Sequence, residues 1–354
     1  MSDGGEERPS DTMRERVPEN SLKFWFMLAA DRWVVTGIFL AVVFLGLVAL
    51  GFFHPTPTRT LLLRGDPLET LFGAIVGATV TGVTVVLTLS QLVLSQEQGP
   101  VGDQRERMDG AMTFRRDVES LLEEPVSPAQ PSAFLRSLVD LTRRRAETVQ
   151  SAVEDIDSDR LDQQVERFVD NLEDNAEAVA ANLEGAQFGE FDVVFSALNY
   201  NYSLKLYAAR RIRAENDAVL TDEARAAFDD LVDALELFGP AREHFKTLYF
   251  QWELTNLSRT ILFTAIPALV VSAGSLLFFD ARDVTTATLG ISDALLVVAL
   301  AVTVSLAPFA ILLAYVLRIV TVTKRTLSVG PFILRETDRS HALEGDDAAG
   351  GTDE

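Results

Sequence analysis

Charged residues vanish from four stretches of the chain: Trp33 to Phe53, Leu71 to Leu94, Thr260 to Phe279 and Ala294 to Leu317. Each is about 20 residues or longer, the length a helix needs to cross a hydrocarbon core of ~30 Å at about 1.5 Å per residue. The pattern therefore predicts four membrane crossings. The first follows Lys23 and Arg32 as a signal sequence would, but it is too long for a cleaved apolar segment and leads straight into Pro55 and Pro57. It is read as a retained helix.

The second stretch carries its small and polar side chains on one line: Gly73, Gly77, Thr81, Thr84, Thr88, Gln91 and Ser95 follow one another at steps of three or four. At about 3.6 residues per turn these seven share one helical face, with Leu71, Ile75, Val80, Val83, Val86 and Leu92 elsewhere. This is expected to be the helix's inner side. Val83, on the other side, is expected to meet lipid or a tolerant contact. Close packing of spans needs small side chains, which is the leading reading of the stripe. The alternative is a neutral, water-facing wall in an oligomeric pore. Similar lines occur in the fourth span (Ala299, Thr303, Ala307, Ala310, Ala314) and the third (Thr264, Ala268, Ser275), and Pro267 and Pro308 are candidate kinks.

Between the second and third spans the apolar spacing becomes that of amphipathic helices. A first runs from about Asp103 to Glu124, and Pro125, Pro128 and Pro131 interrupt the chain after it. Pro131 or Ser132 opens a second, to about Ile156, and Asp157-Ser158-Asp159 looks like the cap of a third, Arg160 to Leu183. Leu161, Val165, Phe168, Leu172 and Val179 form the third helix's apolar face. A fourth is expected from about Glu190 to Glu215, with Phe191, Phe195, Leu198, Tyr202 and Leu206 on one side. A fifth, from Asp222, stops at Phe238 before Gly239-Pro240, and a new helix starts at Pro240 and enters the third span. Such helices must bury a face against each other, so the fold class is all-α. Four transmembrane helices are joined to an antiparallel helical bundle inserted between the second and third spans. The expected segments are a disordered tail (1–19), an interfacial helix (20–32), spans one and two (33–100), the acidic helical domain (101–258), spans three and four (259–325) and a C-terminal segment with an acidic disordered tail (326–354).

Charge sets the orientation. Basic residues cluster before the first span (Arg14, Arg16, Lys23, Arg32), at both ends of the central domain (Arg105, Arg107, Arg115, Arg116; Arg242, Lys246, Arg259) and after the fourth (Arg318, Lys324, Arg325), whereas the two short loops hold only Arg59, Arg64 and Arg282. The positive-inside rule places both termini and the central domain in the cytoplasm, and Trp25, Trp33 and Trp252 fall at the expected inner border. The chain has 31 Lys and Arg against 52 Asp and Glu, net −21, and only Lys23, Lys205, Lys246 and Lys324 are lysines. Surplus carboxylate with so little lysine is the pattern of a protein adapted to concentrated salt, where a Debye length of about 3 Å removes most self-repulsion. Residues 101–258 hold 17 of the bases and 32 of the acids. Nucleic acid, which needs a basic footprint, is not an expected partner.

Candidate chemistry is sparse. There is no cysteine, and the three histidines, His54, His244 and His341, are scattered without metal-ligand spacing. No phosphate-binding loop, nucleophile elbow or dinucleotide fingerprint occurs, so no enzyme, metal or cofactor is expected. The spans hold no Asp, Glu, Lys, Arg or His, which removes proton-coupled pumps and voltage sensors. A basic island, Lys205, Arg210, Arg211 and Arg213, is a candidate for anionic lipid or phosphate contact, or for pairing with neighbouring acidic helices.

Two motifs, Asn199-Tyr-Asn-Tyr-Ser203 and the run from Gly239 through Pro240, Ala241, Arg242, Glu243 and His244 to Arg259, resemble a group of uncharacterised multi-pass membrane proteins of halophilic archaea. The likeness spans Trp33 to Leu334 and implies compartment and salt habit, with no activity or site. The expected function is that of a non-enzymatic cell-membrane protein whose helical domain serves assembly, scaffolding or signal transmission. Membrane lipids, further copies of itself and a cytoplasmic protein are its expected partners. The alternative is an oligomeric channel lined by the second span.

Overall fold

The computed structural model describes residues 25–26, 30–63, 66–186 and 191–325. The tails 1–19 and 326–354 and most of the expected interfacial helix 20–32 lie outside them. Apart from connecting turns, the described residues are helical except for one hairpin of two short strands. They divide into two compact units, one holding Pro100–Phe250 and the other Asn20–Gly99 with Gln251–Val322.

The first unit contains α4 (Val101–Leu122), α5 (Pro131–Val153), α6 (Asp159–Leu183), α7 (Phe191–Asn199), α8 (Tyr202–Glu215) and the start of α9 (Asp222–Phe278). Local signals place the first three as the sequence predicts. Pro131 occupies the first turn of α5, where its missing N–H costs nothing, and the Ser158 hydroxyl accepts from the Leu161 N–H to cap α6. All five residues of the apolar face expected in α6 are buried. With Leu135, Leu138, Val149, Phe228, Leu231 and Phe238 they join one core, each such burial worth about 1.5–3 kcal/mol.

Two expectations fail here. The helix expected over Glu190 to Glu215 is broken at Tyr200-Asn201 into α7 and α8. Both residues are buried, and the break turns the Tyr200 ring onto Phe238, with centroids 4.7 Å apart, and its hydroxyl onto that of Thr142. Conversely, Gly239-Pro240 does not stop a helix, and α9 runs unbroken for 57 residues, about 85 Å at 1.5 Å per residue. Proline in a helix interior costs about 3 kcal/mol. Here Phe238 and Ala241 are locked into the core, and a Cβ on Gly239 would lie 3.0 Å from the Tyr202 ring. Tertiary packing outweighs the local breaker.

The second unit holds α1 (Arg32–Phe53), the short α2 (Thr58–Leu62), α3 (Pro67–Glu97), the remainder of α9, α10 (Asp293–Ser305) and α11 (Ala307–Arg325). The hairpin β1 (Ala287–Thr288) and β2 (Ile291–Ser292) precedes α10, pairing Ala287 with Ser292 and Thr288 with Ile291. Its turn places Leu289 and Gly290 at positive φ, the geometry a two-residue hairpin demands. Helices α1, α3 and α9 are each long and apolar enough to cross a membrane. The expected fourth span is instead two helices bent by 47° at Leu306, with Pro308 in the first turn of α11 and Phe309 and Ala310 both donating to the Leu306 carbonyl. The missing N–H of Pro308 falls where a helix start has no use for it. The bent pair makes a fourth crossing if it serves as one span.

Candidate functional site

Helix α3 has two opposed faces. Phe72, Ile75, Thr79 and Val86 are buried, with Gly82, Val83 and Ser90 half-buried beside them. Phe72 and Ile75 pack on Val298 and Val302 of α10. Val86 packs on Leu257 and Ile261 of α9 and Ile311 and Tyr315 of α11. The stripe Gly73, Gly77, Thr81, Thr84, Thr88, Gln91 and Ser95 is exposed at every position, roughly 160° round the helix from the buried line at about 100° per residue. Within this chain the inner side is thus opposite to the expected one, and Val83 lies half-buried in the packed cluster around Val86, the contact option of the two expected for it.

The stripe is open but chemically quiet. A Cβ on Gly73 or Gly77 would meet nothing within 4 Å. The hydroxyls of Thr81, Thr84 and Thr88 donate to the carbonyls of Gly77, Val80 and Thr84 at 2.9–3.0 Å, and Ser95 to that of Leu92 at 2.7 Å. Such self-bonded hydroxyls meet an apolar neighbour without an unsatisfied donor. The fourth span's line behaves differently: Ala299, Thr303, Ala310 and Ala314 are buried inside the unit. In the third, Ala268 is buried and half-buried Thr264 bonds within α9. Buried Ser272, one turn beyond Ala268 on the same face, donates to Ser305 at 2.8 Å.

At the end of this unit formed by the start of α1, the 251–259 stretch of α9 and the end of α11, a charged knot is buried. Arg32 forms an ion pair with Glu253, whose side chain is 1% exposed, and the guanidinium lies 4.7 Å over the Tyr315 ring. Buried Arg318 donates to the Ala30 carbonyl, and Ser90 bonds to Ser258. The sequence placed Arg32 and Arg318 among the basic flanks and gave Glu253 no role. The pair joins residues 221 positions apart, for which no local signal exists.

The basic island is dispersed. Lys205 is buried, 5.4 Å from the Tyr200 ring centroid. Arg211 pairs with Glu215 and Arg213 with Asp229, while Arg210 is exposed. Pairing of Arg211 draws the Glu215 carboxyl below its usual range. The four do not form one phosphate cradle. The two motifs quoted from the sequence do meet in the first unit: buried Arg242 stacks on the Tyr202 ring at 4.7 Å, and a Cβ on Gly239 would lie 3.0 Å from that ring.

Among the described residues no group of three or more His, Cys, Asp or Glu is placed to hold a metal ion. No curated protein and no solved structure matches the chain. A family model matches residues 1–347, and the chain, with its two-faced α3 and its buried tyrosine and arginine motifs, belongs to that family, a family of unknown function (DUF7972).

Proposed function

We propose that the protein is a non-enzymatic cell-membrane protein that crosses the bilayer four times, keeps both termini and residues 101–258 in the cytoplasm, and self-associates through the outward stripe of α3. Its helical domain then serves as a platform for assembly, scaffolding or signal transmission. The observation that carries this reading is the stripe itself: seven small or polar residues, all exposed, on a helix whose opposite face already satisfies packing within the chain. In lipid the gain from association comes from close backbone approach, which Gly73 and Gly77 allow and a leucine there would prevent. The bonded threonine hydroxyls favour a dry contact between copies over a wetted wall.

The test uses single cysteines, since the chain has none of its own. Oxidation in native membranes is expected to cross-link Thr84→Cys into dimers and to leave Leu89→Cys, exposed but roughly 140° away at about 100° per residue, monomeric. Cross-linking at neither position removes the self-association reading. Ion flux through reconstituted protein that Thr84→Leu abolishes without loss of assembly favours the channel instead.

A further inference from the structure

Two helix ends of opposite polarity share one cavity in the first unit. It measures about 520 Å3 and lies between the first turn of α5 and the last turn of α6, within the ~300–1,000 Å3 typical of small-molecule sites. Helix α5 begins without a side-chain cap, and the N–H groups of Ser132 and Ala133 find no acceptor among the described residues. They carry the positive end of a 23-residue helix. On the opposite wall α6 stops at Leu183 and the chain turns off through Gly185 at φ 75°, which leaves the negative, carbonyl end of α6 at the same cavity. The side chains repeat this polarity. Ser132 lines the cavity and is only 6% exposed, yet its hydroxyl makes no hydrogen bond among the described residues. Its oxygen is not sealed in the core, so the space it faces is the cavity. A polar group so nearly buried is costly to leave unused. Arg136, one turn along α5, lies 3.5 Å from the Glu184 carboxylate and 3.9 Å from that of Asp140, ion pairs without a hydrogen bond, so its guanidinium donors are unused as well. Donors thus line the α5 side, and Glu184 with a helix's carbonyl end lines the α6 side. A dianion matches this poorly, because Arg136 already stands between two carboxylates in a domain with 32 acids and 17 bases. The rest of the wall, at Pro131, Ala133, Leu183 and Ala186, is aliphatic.

We propose that this cavity binds a free L-amino acid with a small aliphatic side chain, taken up as the zwitterion. Its carboxylate accepts from the N–H groups and hydroxyl at the start of α5 and from the Arg136 guanidinium. Its ammonium donates to Glu184 and to the carbonyl end of α6, and its side chain rests on Ala133 and Leu183. The site lies wholly within the first unit, so the proposal stands independently of self-association through α3.

The test is calorimetric titration of the full-length chain in detergent at molar salt. The probes are L-alanine, L-valine and L-leucine, the amide of valine, which keeps only the ammonium, and the keto acid of valine, which keeps only the carboxylate. At least one of the three amino acids is expected to bind saturably, and valine is expected to bind about tenfold or more tighter than its amide or its keto acid, the loss of a charge-assisted hydrogen bond in each case. Arg136→Met and Ser132→Ala are expected to weaken valine and the keto acid alike. Glu184→Gln is expected to weaken valine and leave the keto acid unchanged, a selectivity that a merely structural role would not produce. Arg136 and Glu184 keep 42% and 69% of their side-chain surface, so their variants are expected to fold. Should one not fold, the comparison of the three valine compounds on wild type decides by itself. Absence of binding by all three amino acids, a keto acid that binds as tightly as valine, or an Arg136→Met variant that binds like wild type would overturn the proposal.

Discussion

Removing Arg32 takes the ion-pair partner from a carboxylate that is buried away from water. Glu253 keeps 1% of its side-chain surface, while Arg32 keeps 19% and leans on the Tyr315 ring. At ~4 Å and an effective dielectric of about 20 the pair's attraction is about 4 kcal/mol, against a desolvation cost of several kcal/mol per ion. Arg32→Met leaves the more deeply buried charge without that counterion and gives up the ring contact, and is expected to cost about 3–5 kcal/mol. Glu253→Gln leaves a partly exposed guanidinium on an aromatic face and is expected to cost less, about 1–3 kcal/mol. The double variant is expected to be less damaging than the two costs added together, with a coupling of about 1.5–3 kcal/mol, because the second change removes the buried charge whose counterion the first took away. The assay is equilibrium unfolding of the detergent-solubilised chain at molar salt. Salt screens exposed charges, but it reaches a pair this buried only weakly. Additivity within about 0.5 kcal/mol, or a larger loss for Glu253→Gln than for Arg32→Met, would refute the reasoning.

Gly239→Ala gains about 1 kcal/mol of helix propensity but drives a methyl to 3.0 Å from the Tyr202 ring and hydroxyl. Tyr202 is held by Phe238 and Arg242, so the net effect is expected to be a destabilisation of about 1 kcal/mol, seen as a lower melting temperature. Glu119 on α4 accepts from the Ser127 N–H and hydroxyl at 2.9 Å each, which holds its carboxyl below the usual 4.5. A depressed carboxyl contributes stability above its unfolded value and loses it as pH falls through the folded one. Melting temperatures from about pH 6 to about pH 3 are therefore expected to fall more steeply for wild type than for Glu119→Gln, and parallel curves would count against it. For topology, Asp155→Cys, exposed beyond the end of α5, is expected to resist an impermeant thiol reagent in intact cells, while Thr60→Cys on α2 is labelled. The reverse pattern would invert the proposed orientation.

What the sequence determined by itself was whatever depends on neighbours along the chain. Charge-free length marks α1, α3 and the apolar half of α9 as able to span a bilayer, and the Ser158 cap and the spacing from Leu161 to Val179 place α6 and its buried face. Choices among locally equivalent options waited for the tertiary structure. Both faces of α3 are uncharged, so hydropathy cannot say which packs. Contact with Val298, Val302, Leu257 and Ile311 decides it, and turns the small-residue stripe outward. Gly239-Pro240 reads as a stop and Tyr200-Asn201 as helix interior. Core packing reverses both, because a buried ring placed well is worth more than a local propensity of about 1–3 kcal/mol. The pairing of Arg32 with Glu253 is the extreme case. Each residue alone looks like a charge at a span's edge, and only the packing of α1 against α9 and α11 takes both out of water, where a lone charge is too costly to leave unpaired.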